Sequence, residues 1–136
     1  MISVTIKRLS RPFLVLSLSA AATRTFAGIA LNTIDTVAHQ TESGWQIVVT
    51  GPIACTAGER ITLHLTVTQR STGAVGQGHT RFLCTGALQQ WEVLVTHDKK
   101  AAFADGAATA VALARTTAQG APTDAHQWLI NVSVAE

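Results

Sequence analysis

The chain has 136 residues, 47% of them hydrophobic and 13% charged, with 10 basic and 8 acidic side chains. That length suits one domain with one core, and the apolar content excludes disorder arising from low hydrophobicity. Setting aside Lys7, Arg8 and Arg11 leaves seven basic against eight acidic residues from Thr23 onward, net −1, so no basic footprint points to nucleic acid or to an anionic membrane surface.

Taken in chain order, the first element is the apolar run Phe13 to Ala22, preceded by Lys7, Arg8 and Arg11 and ending in small residues. It falls far short of the roughly 20 apolar residues that a membrane-spanning helix needs, so no transmembrane anchor is expected. A basic start, a short apolar run and a small-x-small exit predict a secretory signal over residues 1–22, cut after Ala22 with Ala20 and Ala22 at the two small positions. A cut after Ala27 and a buried or amphipathic N-terminal helix are the alternatives. The signal predicts a secreted, extracellular or cell-surface protein of bacterial type.

Residues 23–43 read as an arm or a weak edge strand. Alternation over residues 30–38 is of low amplitude, so its register is loosely specified. On this reading, removing residues 23–43 leaves the remainder folded, and any self-association uses this segment or another sheet edge.

Residues 44–136 carry the main domain, and its hydrophobic period is two almost throughout. Trp45, Ile47 and Val49 alternate with Gln46, Val48 and Thr50 up to Gly51-Pro52, which reads as a break. Ile61, Leu63, Leu65 and Val67 oppose Thr62, His64, Thr66 and Thr68, the pattern of a strand with one dry face and one wet face. A glycine-rich turn follows over residues 71–78, then a short strand from His79 to Cys84. Trp91, Val93 and Val95 alternate up to His97-Asp98-Lys99-Lys100, expected to be a solvated hairpin end. Residues 107–115 are rich in alanine, a helix former, yet Val111 and Leu113 alternate with Ala110, Ala112 and Ala114, which predicts a strand with small inward residues. After a loop over residues 120–124, Trp128, Ile130, Val132 and Val134 form the last strand.

Cys55 and Cys84 are an even count in a chain expected to mature in an oxidising compartment, which predicts a disulfide. Two cysteines fall short of the usual four zinc ligands, and no Cys-x-x-Cys is present.

Gly51-Pro-Ile-Ala-Cys-Thr-Ala-Gly-Glu59, Leu65-Thr-Val-Thr-Gln69, Cys84-Thr-Gly86, Trp91-Glu-Val and Gln127-Trp128 together resemble small secreted bacterial immunoglobulin-like β-sandwich proteins of no assigned function. The resemblance spans roughly residues 44 to 134. It implies an antiparallel β-sandwich of about seven strands whose cysteines join neighbouring strand ends, and it supplies no catalytic residues. No tryptophan lies between the cysteines and the chain has no tyrosine, both departures from true immunoglobulin domains. Phe103, ahead of Gly106, is a candidate for corner packing.

Five histidines, at 39, 64, 79, 97 and 126, are the groups suited to metal or acid/base chemistry. His64 and His79 are the metal candidates, since they face each other if their strands pair. No local spacing supplies a third ligand, so no metal site or other cofactor is expected. The serines of the expected mature chain lack a Gly-x-Ser-x-Gly elbow, and the acids are scattered, so no catalytic residue is nominated. Trp45, Trp91 and Trp128 read as core or half-core residues, with a sugar-stacking platform as the other possibility. The function expected is an exported, non-enzymatic structural or interaction module for an unknown protein or cell-surface partner. Copper or zinc binding through histidines and carbohydrate binding are the alternatives.

Overall fold

A computed structural model describes residues 28–41 and 45–136. The expected signal, residues 1–22, lies outside the described residues. Eight strands follow: β1 (Ile29–Asn32), β2 (Val37–Gln40), β3 (Gln46–Cys55), β4 (Arg60–Gln69), β5 (Ala74–Leu83), β6 (Leu88–His97), β7 (Gly106–Ala118) and β8 (Ala121–Ala135). None of the described residues is helical.

The strands do not divide into two facing sheets. β2, β8, β7, β4, β5 and β6 pair in that order, and β3 pairs with both β6 and β2, so the ladder closes into a seven-stranded barrel. The immunoglobulin-like sandwich is therefore the wrong architecture. A sandwich and a small barrel demand the same alternation of dry and wet residues along each strand, so period two alone does not separate them.

Side-chain size along β4 and its neighbours favours closure. Ile61, Leu63, Leu65 and Val67 project inward and are fully buried. On one side Leu65 and Val67 lie opposite Gly78 and Gly76 of β5. On the other, Leu63, Leu65 and Val67 lie opposite Ala114, Ala112 and Ala110 of β7. Large residues on one strand fill a narrow lumen only if the adjacent strands carry small ones. The alanines of β7 thus serve packing, which overrides their helix propensity. Trp91 of β6 lies opposite Gly51 of β3 in the same way, where an added Cβ would come within 2.6 Å of the indole.

Gly51 and Pro52 lie inside β3 and do not end it. Proline lacks an N–H, which disqualifies it from most interior ladder positions. The Pro52 carbonyl accepts from Thr33 N, so its nitrogen also faces the gap between β1 and β2, where the partner strand is interrupted. Asp35 fills that gap: its N–H donates to Thr50 O at 2.8 Å, and its carboxylate accepts from the Thr50 hydroxyl at 2.6 Å and the Gln90 amide at 2.9 Å.

Within the segment expected to be an arm or weak edge strand, β2 is flanked on both sides, while β1 pairs on one side alone. β1 and β2 act as one broken strand along β3, and β2 also runs parallel to β8, with Val37 opposite Ser133 and His39 opposite Ala135. Through β2 this segment joins β3 to β8 and completes the ring. Closure also removes most sheet edges, the ground on which self-association was expected. Among the described residues, an open stretch remains between β5 and β6, whose pairing is confined to Gly76 and Gln77.

At one end of the barrel, Gln69 is fully buried. Its amide donates to Ala104 O at 2.7 Å and accepts from Ala104 N at 2.9 Å, imitating a strand partner for the loop that carries Phe103 inward. Phe103 is buried against Gly76, and it packs at the end of a barrel, not at the corner of a sandwich. At the other end, Cys55 and Cys84 form the expected disulfide, with Cα atoms 5.4 Å apart. Their strands are not neighbours in the ladder, because β6 lies between β3 and β5. The bridge instead spans the mouth where β5 departs from β6.

Candidate functional site

The five histidines go to four separate places. His39 is exposed on β2. His97 is buried, contrary to the solvated hairpin end expected for its segment; its Nδ1 accepts from Lys99 N at 2.7 Å, and Trp45 lies over its ring at 3.9 Å between centroids. His64 and His79 do face each other across β4 and β5, with ring centroids 5.6 Å apart. Among the described residues, no three His, Cys, Asp or Glu side chains come close enough together to hold a metal ion.

His126 belongs to a polar cluster that sequence spacing did not reveal. Beyond the short β2–β8 ladder, side chains of β8 reach across to β1 in place of backbone pairing. Asp124 Oδ2 accepts from Ile29 N at 2.9 Å and lies 3.2 Å from His126 Nε2. Asn32 Nδ2 lies 2.8 Å from His126 Nδ1. The amide donor makes Nδ1 the acceptor, which places the ring proton on Nε2, toward Asp124. Both imidazole nitrogens thus have a partner within the barrel wall. The cluster resembles part of a triad in composition but closes the barrel wall. Gly28, at φ +112°, lets Asp124 approach, since an added Cβ would overlap the Asp124 side chain.

The Ile29 N–H is the main reason that the Asp124 carboxyl titrates below its ordinary range. Partial burial works against this, while the Ala125 N–H and the nearby His126 add to it. A carboxylate with a depressed folded-state pKa contributes stability that is complete above its unfolded value of about 3.9 and is lost as pH falls through the folded value. Asp124→Asn is expected to lower stability near pH 7 by about 0.5 to 1 kcal/mol, with the side chain part-exposed. Denaturant titrations of both proteins check this: the difference should vanish at a pH below the folded-state pKa, and an unchanged gap there would point to a steric cause.

A second buried polar group sits beside the disulfide. Glu59 is 5% exposed, and its carboxylate accepts from the Thr123 hydroxyl at 2.8 Å, which is 2.7 Å from Thr116 Oγ1. Its backbone carbonyl accepts from Cys84 N. This chain of contacts ties the start of β4 to the β7–β8 hairpin. A groove of about 540 Å³ opens nearby, lined in part by Thr62, Arg115, Thr123 and Asp124. Its lining brings together one carboxylate, Asp124, one guanidinium, Arg115, and the hydroxyls of Thr62, Thr116, Thr117 and Thr123.

The tryptophans do not build a stacking platform. Trp91 is buried and Trp128 half-buried, which leaves Trp45 as the exposed one at 48%. Among the described residues, no helix is long and apolar enough to cross a membrane. No protein-family model matches the sequence, and no curated protein matches it.

Proposed function

We propose that this chain is an exported, non-enzymatic structural or interaction module that works outside the cytoplasm as a disulfide-linked barrel. The observation that carries this reading is the filled lumen. Leu63, Leu65, Val67, Trp91 and Phe103 are buried in the space where a small barrel of about this strand number can otherwise hold a small ligand. Partner contact then falls to the outer surface and the loops.

The outer surface supplies apolar contact area. Leu31 of β1 lies beside Ala54 of β3, and Ala54 beside Leu88 of β6, an outward row in which the leucines are 49% and 62% exposed. Such side chains suit a protein partner better than a small polar ligand. Export is supported by the disulfide, which persists in oxidising compartments, together with the N-terminal signal pattern.

Expression of the full-length chain in a bacterium, with fractionation and intact-mass measurement, tests both parts. The expected product is exported, begins at Thr23, contains the disulfide and shows no turnover in a broad hydrolase screen. A cytoplasmic product with Met1 and two free thiols would overturn the export reading. Turnover abolished by changing one acid or histidine would overturn the non-enzymatic one.

A further inference from the structure

The β4–β5 ladder runs without interruption from Arg60 opposite Leu83 to Gln69 opposite Ala74, and it places His64 directly opposite His79. Both side chains are exposed, and their rings are inclined by 30° with centroids 5.6 Å apart. A metal ion held about 2.0–2.1 Å from one nitrogen of each ring, at a tetrahedral to trigonal angle, would set the ring centres roughly 5 to 6 Å apart. The spacing already matches. The pair is held by the β4–β5 ladder, and Gly78, next to His79, runs so close to β6 that an added Cβ would overlap the Leu94 carbonyl.

The surroundings select the class of ion. On the same outward face, Thr62 and Thr66 flank His64, Gln77 and Arg81 flank His79, and Leu113 of β7 lies beyond His64. None is a carboxylate, so the hard cations calcium and magnesium lack their preferred oxygen ligands. Arg81 opposes binding by charge alone, so a cation must be held by coordination, for which imidazole suits zinc, copper and nickel. We propose that His64 and His79 form a two-point chelating site for one such divalent ion, zinc or copper in type, whose remaining coordination positions stay open to water or to a ligand from a partner.

Zinc titration of the disulfide-linked protein, followed through its histidine ring NMR signals, tests the site. The His64 and His79 signals should move together and saturate at one zinc per chain, at concentrations that leave His39 and His126 unperturbed. His64→Gln and His79→Gln should each weaken zinc binding at the remaining partner at least tenfold, while His126→Gln leaves it unchanged. Both substitutions are at exposed positions, and unchanged denaturant midpoints would verify that the ladder persists. The proposal is overturned if the two histidines respond at separate zinc concentrations, or if replacing one leaves the affinity of the other intact, because either result describes independent surface imidazoles.

Discussion

Deleting residues 23–43 is expected to abolish cooperative folding. The deletion removes β1 and β2, and with them the buried side chains of Ile29, Ile34 and Ala38. Burying an isoleucine stabilises by about 1.5 to 3 kcal/mol, so the two isoleucines together approach the lower end of the roughly 5 to 15 kcal/mol available to an ordinary domain. The ladder loss comes on top of this. Without β2, the β3 positions that pair with His39 and Gln40 and the β8 positions that pair with Val37 to His39 lose their neighbours, and the closed wall becomes an open, strongly curved sheet. Circular dichroism and a denaturant titration of the truncated protein check the expectation. A sigmoidal unfolding curve with a near-native midpoint would show that the barrel tolerates the gap, as the arm reading of residues 23–43 requires.

The second large effect is expected at the disulfide. Replacing both cysteines by serine should lower stability by about 3 to 4 kcal/mol, the chain-entropy value for a closed loop of about 30 residues; the sequence separation is 29. The location adds a local consequence. β5 and β6 share ladder contacts only at Gly76 and Gln77, so the bridge holds the far part of β5 against the end of β3 where a continuous ladder is missing. Amide exchange in the double-serine protein should therefore rise most over residues 79–86, where Cys84 N and Gly86 N donate to Glu59 and Cys55 carbonyls. Equilibrium unfolding gives the magnitude and exchange gives the place. A loss below about 1 kcal/mol would mean that the packing at this mouth is sufficient without the bridge.

The candidate site was legible only in part. His64 and His79 could be paired in advance, since each lies on the wet face of a strand and the glycine-rich segment between them predicts a turn. Asp124, His126 and Asn32 could not, because Asn32 is 94 residues from His126 and meets it only because β2, which follows β1, pairs in parallel with β8. Glu59 carried no signal either: a charged residue beside a glycine reads as solvated, and its burial depends on the hydroxyls of Thr116 and Thr123 arriving from a distant hairpin. His97 reads as solvated for the same reason, since Trp45, just ahead of β3, covers it from a distant part of the chain.

The sequence by itself determined the all-β class, the faces of the main strands, the strand assignment of the alanine-rich β7 and the cysteine pair, because alternation and composition are local properties of the chain. Only the tertiary structure decided that the sheet closes. Period two states which side of a strand is dry but not what lies across from it, and the choice between sandwich and barrel rests on partners remote in sequence. Gly76 and Gly78 read as turn residues until they lie opposite Val67 and Leu65, and Pro52 reads as a break until the gap between β1 and β2 is set beside it. Residues 29–40 look weakly patterned because they form a strand interrupted in the middle, and their place between β3 and β8 is what turns a curved sheet into a barrel.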